Sequence, residues 1–347
     1  MRIAIITAAP NSYSVKSLLR AIRERDHLPE IIDPEDLYIY ISDKKQGFDR
    51  IYQKELKIQK NEINAIIPRI GSNLEFGAVT VEHFNKNLGI FSTASASGLL
   101  CAQNKMKNQM RLSQAKIRVP KMAFANRPQD FKFLVDLVGG IPCVAKLQTG
   151  SQGAGVFLIE SELAASATLT AFSKIGVNLI LQELIETEKP KYDIRAYVVG
   201  DEIAAQYKRF ALDKDFRSNY SLSHQGEITG LSTEEKEMII SAARATGLAV
   251  CGVDLIRKND EAKTPYILEV NGNASLKGIE TVTKIDVAGK IIEYVERNYK
   301  KKSPEGIPGA KSSVTGQEKA NSVQNSITDT YSYNIIAAHT MPILCIW

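Results

Sequence analysis

Two apolar segments that carry polar side chains constrain the fold of this chain more than any other feature. The run 266–268 leads directly into Glu269, Val270 and Asn271. Alternate residues of a strand share one face, so a strand at this position would place Glu269 and Asn271 side by side. Fifteen residues upstream of Glu269, Asp254 lies within a second apolar run. We expect two neighbouring strands that present these three polar side chains to one cleft.

Two interpretations fit this set of polar side chains. Carboxylate and amide oxygens are the hard ligands that Mg²⁺ prefers, and Mg²⁺ commonly takes one or two carboxylates together with phosphate oxygens and water. The set would then form a nucleotide–magnesium site. Alternatively, the three residues lie on the solvent-facing side of a hairpin. Their spacing alone does not separate the two interpretations.

The composition is that of a soluble globular protein. The chain has 347 residues, of which 44% are hydrophobic and 24% charged, and this length allows about two or three domains. The formal net charge of +5 is mild and gives no reason to expect nucleic-acid binding. The four cysteines are widely spaced without a C-x-x-C pair, as in a reducing, cytoplasmic setting. We expect neither a secretory signal nor a membrane span.

The first 95 residues alternate between strand and helix patterns. Strands are predicted at 2–7, 29–34, 65–71 and 89–92, and helices at 15–25 and 74–87. Asn11 and Ser12 are candidate caps of the first helix. The alternation predicts a parallel, doubly wound α/β sheet. No G-x-G-x-x-G follows the first strand, so the dinucleotide-binding pattern is absent.

A strand lysine and a glycine-rich loop come next. The apolar run 142–147 carries Lys146, and Gly150, Gly153 and Gly155 follow it between two predicted strands. Glycine allows the backbone to approach a ligand so that its amides cradle phosphate oxygens, and a lysine beside such a loop suits polyphosphate. A flexible turn is the alternative. The loop is not a Walker A loop, because no G-K-[ST] opens a helix.

Later segments carry polar residues whose role the pattern leaves open. The strand 178–185 either offers backbone hydrogen bonds to a flat base or is a plain buried strand. Asp193 and Arg195 share one face of a predicted hairpin strand. The loop 215–219 fits an anion and a solvated surface equally well. The remaining predicted helices span 96–114, 131–138, 161–175, 232–246 and 283–298.

The last helices and the tail complete the pattern. Ser232 and Glu235 have the spacing of a capping box at the start of a helix that stops at Gly247. Residues 300–333 are rich in Ser, Lys, Gly, Asn and Gln, and we expect disorder there. The apolar segment 334–347 is either a docking peptide or a packed terminus.

Taken in order, these motifs resemble those of the ATP-grasp carboxylate–amine ligases. The order is strand lysine, glycine loop, Q-E-L-I, D-I-R, D-F-R-S-N, G-V-D and E-V-N. More closely, the chain resembles the RimK-type ligases, which add glutamates to the C-terminus of the sixth small-subunit ribosomal protein. The resemblance covers residues 1 to about 298, and seven motifs in one order are highly specific.

The resemblance implies an α/β (α+β) ATP-grasp fold. Its parts would be a doubly wound pre-ATP-grasp domain at 1–95, a small lid lobe at 96–180 and a large ATP- and metal-binding lobe at 181–299. Residues 300–347 would form a flexible tail.

The resemblance also implies roles for individual residues. Those implied in nucleotide binding are Lys105, Lys146, Gly150, Gly153, Gly155, Glu183, Leu184, Ile185, Asp193, Arg217, Ser218 and Asn219. Those implied as metal ligands are Asp254, Glu269 and Asn271. Arg209 and Arg217 are the candidates to stabilise the transferring phosphoryl group, and Arg69 is a candidate contact for the substrate. The cofactors would be ATP with Mg²⁺ or Mn²⁺, with two ions expected.

The implied reaction joins a carboxylate, activated as an acyl phosphate, to an amine. The partners would be L-glutamate or a similar amino acid and a protein acceptor, the C-terminus of a ribosomal protein, in a cytoplasmic homo-oligomer. Two alternatives stay open: ligation of an amino acid to a small molecule, coenzyme or carrier peptide, and a non-catalytic ATP-binding regulatory module. The complete set of strand lysine and metal ligands argues against the regulatory module.

One stretch departs from the family pattern. The family usually continues past E-V-N with a serine-proline-glycine-leucine-glutamate run, whereas this chain reads G-N-A-S-L-K at 272–277. The proline is gone, and Lys277 stands where the family has an acidic residue. We expect this change to leave the ATP chemistry intact and to bear on the acceptor or the amino-acid substrate.

Overall fold

The described part of the chain contains both strands and helices, and its strands form four sheets. The structure is a computed structural model that describes residues 1–41, 50–54, 56–58, 62–125, 131–148, 155–211 and 225–300. The strands are β1 Arg2–Ile6, β2 Leu28–Ile32, β3 Leu37–Tyr40, β4 Arg50–Gln53, β5 Leu56–Lys57, β6 Ala65–Pro68, β7 Phe91–Ser92, β8 Met122–Phe124, β9 Cys143–Leu147, β10 Val156–Ile159, β11 Leu179–Glu183, β12 Tyr192–Val199, β13 Glu202–Phe210, β14 Gly226–Ile228, β15 Val250–Arg257 and β16 Pro265–Asn271. The α-helices are α1 Tyr13–Glu24, α2 Leu74–Glu82, α3 Ala96–Gln103, α4 Lys105–Gln114, α5 Phe131–Leu137, α6 Glu162–Lys174, α7 Thr233–Thr246, α8 Leu276–Thr283 and α9 Val287–Asn298.

The first sheet is parallel and has helices on both faces. Its strand order is β2-β1-β6-β7, with all pairs parallel. Ile3 and Ile5 of β1 pack into the core that contains α1, whereas Ala4 and Ile6 pack into the core that contains α2. Because alternate residues of a strand point to opposite faces, both faces of β1 must be apolar. The predicted doubly wound sheet is confirmed. Ser12 is the cap of α1.

A small antiparallel sheet, β3-β4-β5, is inserted between β2 and β6. Leu37 and Ile51 are buried in the core below it, whereas Tyr38 and Tyr40 are exposed on its outer face. The sequence analysis did not predict this sheet. Its strands are only two to four residues long, so the period-2 signal in the sequence is weak.

The second sheet is antiparallel, with the order β10-β9-β11-β8. Helices α5 and α6 cover one face and share a small core with it. The predicted single helix over 96–114 is wrong, because Asn104 adopts an extended conformation and separates α3 from α4. The Asn104 side chain accepts a hydrogen bond from the Lys107 amide and thereby caps α4.

The third sheet is antiparallel, with the order β14-β13-β12-β15-β16. Helix α7 packs on one face, and α8 and α9 pack on the other. The predicted capping box of Ser232 and Glu235 is present, and α7 ends at Gly247 in the left-handed conformation. The helix predicted at 283–298 begins later than expected, because Lys284 has a φ of 58° and ends α8. Across the ranges that the structure describes, none of the helices has both the length and the apolar character needed to cross a membrane.

Candidate functional site

The register of β15 and β16 brings the three predicted metal ligands together. Asp254 lies opposite Glu269, and Leu268 is an extra residue at a β-bulge beside that pair. The Asn271 amide nitrogen is 2.9 Å from a Glu269 carboxylate oxygen and 3.3 Å from an Asp254 oxygen. The prediction that these side chains share one face of two neighbouring strands is confirmed. Bulges often occur beside active sites, where they redirect a side chain.

Two arginines hold the Asp254 carboxylate from the same sheet. Arg195 on β12 donates two hydrogen bonds to it, at 2.7 and 2.6 Å, and Arg209 on β13 approaches it at 3.0 Å. Arg209 also makes a bidentate pair with Asp193. Burial alone would raise the pKa of Asp254, but the two guanidinium groups outweigh it and lower the pKa to about 2. Asp254 is therefore a carboxylate over the whole physiological range.

Two lysines face Glu269 from other elements. Lys105 begins α4 and Lys146 lies on β9 of the second sheet. Burial lowers the pKa of both lysines, and the Glu269 carboxylate opposes that shift in each case. Both lysines and Glu269 line a small cavity with Gln109 and Gln182. A polyphosphate suits this arrangement, because it would neutralise two partly buried ammonium groups.

A larger cavity of about 150 Å³ lies next to the lysines. Lys146 and Gln182 line both cavities, and the predicted base-binding segment lines the larger one through Glu183, Leu184 and Ile185. The Glu183 carboxylate accepts a hydrogen bond of 3.0 Å from the Lys121 amide.

Buried polar atoms without partners support a polar ligand at this place. Within the described chain, the Gln182 amide nitrogen and the Gln109 amide oxygen are buried without a hydrogen-bond partner. Both side chains line the small cavity. Because an unpaired buried polar group costs about 1–3 kcal/mol, such atoms indicate a site that a ligand or water completes.

The donor set fits a hard divalent cation. Two carboxylates and one amide oxygen suffice for Mg²⁺ when phosphate and water supply the remaining ligands. Among the residues that the structure describes, no group of three or more His, Cys, Asp or Glu side chains is placed to hold a metal ion. A metal at Asp254 and Glu269 would therefore depend on the Asn271 amide and on the substrate.

The other predicted residues have three different outcomes. Gly150, Gly153, Arg217, Ser218 and Asn219 lie outside the described residues. Gly155 lies immediately before β10 and has a φ of 71°. Its carbonyl accepts a hydrogen bond from the Leu147 amide at 2.9 Å. Arg69 is buried, with 8% of its surface exposed.

Arg69 contacts the stretch that departs from the family pattern. Its guanidinium donates to the Ala274 carbonyl at 2.7 Å and to the Tyr197 hydroxyl at 3.4 Å. Tyr197 donates to the same carbonyl at 3.3 Å. The structure shows Arg69 bound to the protein itself, so its candidate contact with a substrate stays a prediction.

The sequence analysis missed four side chains around this site. Arg195 had a signal, because it shares a strand face with Asp193, but its bonds to Asp254 depend on strand pairing. Gln182 had a weak signal as a polar residue within an apolar strand. Asn108 and Gln109 had none, because polar residues on a helix are usually exposed. In the structure, both are buried.

Comparison with known proteins identifies first the class and then the family. Among solved structures, the macrocyclase MdnC of Microcystis aeruginosa, bound with its precursor peptide, has a TM-score of 0.64 at 16% identity, covering 86% of this chain and 100% of that chain. The RimK domain ATP-grasp protein of Sphaerobacter thermophilus has a TM-score of 0.61 at 18% identity, covering 85% and 100%. The ATP-grasp ligase PsnB, complexed with minimal precursor, Mg and ADP, has a TM-score of 0.65 at 19% identity, covering 86% and 98%. The fold is therefore an ATP-grasp fold.

The family follows from sequence comparisons. The model of the RimK PreATP-grasp domain matches residues 1–99, and that of the RimK-like ATP-grasp domain matches residues 102–295. Proteins named probable alpha-L-glutamate ligase 1 are similar to this chain: that of Shewanella denitrificans is 39% identical over 87% of this chain and 99% of its own length, and that of Shewanella putrefaciens is 38% identical over 87% and 97%. The chain belongs to the RimK-like ATP-grasp family, and it is a ligase that forms carbon–nitrogen bonds.

Proposed function

We propose that this protein is an ATP-dependent carboxylate–amine ligase that adds L-glutamate to the C-terminus of a small-subunit ribosomal protein. The observation that carries the proposal is the position of Lys146. It lines the larger cavity with Glu183–Ile185 and also faces Glu269. A nucleotide whose base occupied the cavity would direct its phosphates past the lysine to the carboxylates.

The residues of the site would divide the work between them. The apolar cavity would hold the adenine, and Lys105 and Lys146 would bind phosphate oxygens through their ammonium groups. Asp254, Glu269 and Asn271 would hold Mg²⁺. The bound ion would neutralise charge on the transferring phosphoryl group. Because Asp254 is ionised at every physiological pH, it would offer a metal ion a permanent charge. We further propose that the site binds two ions and that Mn²⁺ can replace Mg²⁺.

The protein would act by positioning and charge neutralisation rather than by covalent catalysis. A carboxylate of the acceptor would attack the γ-phosphorus of ATP and release ADP, and the resulting acyl phosphate would react with the amine and release phosphate. Arg209 would keep its guanidinium beside the transferring group, held in place by Asp193. Arg217, with Ser218 and Asn219, is proposed to contact the phosphates.

The identity of the substrates rests on the relatives and on the motif order. Relatives at 38–39% identity over 87% of the chain are named probable alpha-L-glutamate ligases, which supports glutamate as the amino acid. The RimK-type order of seven motifs supports a ribosomal protein as the acceptor. The stretch 272–277, which Arg69 binds at Ala274, is the place where another amino acid or acceptor would be selected.

An ADP-release assay with mass spectrometry tests the proposal. The full chain would be incubated with ATP, Mg²⁺, one amino acid at a time, and ribosomal proteins, short peptides or small acids as acceptors. We expect ADP release together with mass increments of one glutamate residue on a ribosomal protein. ADP release with small acids alone would favour a small-molecule ligase, and its absence with every pair would contradict the proposal.

A matched pair of lysine variants tests whether the activity belongs to this site. Lys146→Met removes the proposed phosphate contact, and we expect turnover to fall by about 10²–10³-fold. Lys174→Met removes an exposed lysine from the end of α6 and should leave turnover within about twofold of wild type. Equal effects of the two substitutions would mean that the measured activity does not depend on this site.

A further inference from the structure

Strand β16 lies at the edge of the third sheet and carries two of the proposed metal ligands. The outer backbone groups of an edge strand have no neighbouring strand to bind, and buried groups of this kind need other partners. Val270, between Glu269 and Asn271, is fully buried. Its backbone must therefore be paired from outside the sheet.

Side chains of α4 supply that pairing. Asn108 is 1% exposed, and its amide nitrogen donates to the Val270 carbonyl at 2.8 Å while its amide oxygen accepts from the Val270 amide at 3.2 Å. The next side chain, Gln109, donates to the Leu268 carbonyl at the bulge. The Arg118 carbonyl accepts from the Ile267 amide at 2.9 Å. Together these groups replace a missing neighbouring strand.

The same helix connects this strand to the second sheet. The backbone amide of Lys105, the first residue of α4, donates to the Gln148 carbonyl at 3.1 Å, one residue after β9 ends. The Lys105 side chain faces Glu269 one turn before Asn108. Helix α4 therefore contacts both the strand end that precedes the glycine loop and the strand with the carboxylates.

We propose that Asn108 is a positioning residue for the metal site: by holding both backbone groups of Val270, it fixes the direction of the Glu269 and Asn271 side chains on either side. This inference rests on the proposed ATP–Mg²⁺ function. Asn108 also lines the small cavity, but the role proposed here is exerted through the strand and not through contact with the metal or the nucleotide. Its role resembles that of outer hydrogen-bond partners, whose loss commonly weakens metal binding by about 10–100-fold.

The test compares Asn108→Leu with Met110→Ala. Leucine has a similar size but no hydrogen-bonding groups, and Met110 is 54% exposed on the same helix. For Asn108→Leu, we expect the dissociation constant of Mg²⁺ in the presence of ADP, measured by calorimetry, to rise by about tenfold. ADP binding without Mg²⁺ should stay within about twofold, because the larger cavity is unchanged. The apparent KM for Mg²⁺ should rise while the KM for the amino acid does not. Met110→Ala should match wild type in all of these.

Amide exchange of Val270 gives a readout that does not depend on turnover. In wild type labelled with ¹⁵N-valine, we expect this amide to exchange slowly, although it lies on the outer side of an edge strand. In Asn108→Leu it should exchange at least about tenfold faster. If that variant does not fold, the exchange rate of the Val270 amide in wild type gives the result by itself, because the proposal requires that amide to be protected.

The outcomes separate the two proposals. Fast exchange of Val270 in wild type, or unchanged Mg²⁺ affinity in a folded Asn108→Leu variant, would overturn the role of Asn108. Weaker Mg²⁺ binding in the variant, combined with no ADP release by wild type for any acceptor, would support that role and refute the proposed ligase reaction.

Discussion

Two buried arginine–carboxylate clusters of this protein look alike in geometry and differ in what surrounds them. At the start of α7, Arg257 makes a bidentate pair with Glu235 at 2.6 and 2.8 Å. In the candidate site, Arg195 makes a bidentate pair with Asp254 at 2.7 and 2.6 Å. Both carboxylates are 3–4% exposed. The pair geometry alone would give both clusters the same role.

The α7 cluster is closed, in the sense that its two charged groups bind each other and nearby backbone groups. The Glu235 carboxylate also accepts a hydrogen bond from the Ser232 amide at 2.8 Å, and Arg257 also donates to the Gly230 carbonyl at 2.8 Å. One cation faces one anion, and the hydrogen bonds cap the helix. The cluster therefore serves the stability of this part of the fold.

The site cluster is open, in the sense that it has more cations than anions and borders a cavity. Asp254 is shared by Arg195 and Arg209, and the lysines at 105 and 146 face Glu269 nearby. Within the described residues, four cationic side chains surround three carboxylates, and the two lysines and Glu269 of this set line the small cavity. A surplus of positive charge beside a cavity suits an anionic ligand. The difference in what surrounds the pairs, rather than the pairs themselves, distinguishes a binding site from a cap.

The largest expected difference between the two clusters is in turnover, and it is tested by neutralising one carboxylate in each cluster. We expect Asp254→Asn to lower turnover by about 10³-fold, because it removes a charge from the proposed metal set and a partner from Arg195. ADP release under saturating ATP and Mg²⁺ measures this effect. Turnover of Asp254→Asn within about tenfold of wild type would place Asp254 among purely structural residues.

The next effect concerns stability. We expect Arg209→Met to lower the free energy of unfolding by about 3–5 kcal/mol, because Asp193 then stays buried without its partner. Adding Asp193→Leu to this variant should restore most of that loss, since replacing a whole buried pair is often nearly neutral. Urea unfolding of the two variants checks the prediction. A double variant no more stable than Arg209→Met would contradict it.

A smaller effect is expected at the closed cluster. Glu235→Gln weakens the pair with Arg257 and the capping box, and we expect the free energy of unfolding to fall by about 1–2 kcal/mol. Turnover should stay within about twofold of wild type, because Glu235 lies outside the cavities. Urea unfolding and ADP release on the same preparation measure both. A large loss of turnover without a loss of stability would mean that this cluster is not merely a cap.

The smallest effect is a pH dependence of the closed cluster. Burial alone would raise the pKa of Glu235, but hydrogen bonds from Arg257 and Ser232 outweigh it, so the pKa is lowered from its ordinary value of 4.5. Its stabilisation is therefore complete above pH 4.5 and is lost as the pH falls through the lower folded pKa. The difference in unfolding free energy between wild type and Glu235→Gln should be constant from pH 7 to pH 5 and shrink below 4.5. A difference that grew on acidification would have the wrong sign.

Local patterns predicted much of the fold. The β-α-β alternation predicted the parallel sheet of β1, β2, β6 and β7, and the spacing of Ser232 and Glu235 predicted their capping box. Short or weakly patterned elements escaped, among them β3–β5 and α8. The break at Asn104 also escaped, because no glycine or proline marks it in the sequence and the Asn104 side chain caps the second helix.

Residue type and spacing were enough to place Glu269 and Asn271 on one face, because the two-residue period of a strand is a local property. The partners of that strand were not local. Asn108 lies 162 residues from Val270, and Arg195 lies 59 residues from Asp254. Whether a polar side chain is exposed or bonded to a distant backbone depends on where packing places its helix or strand. Only the tertiary structure therefore revealed which residues hold the predicted metal ligands in position.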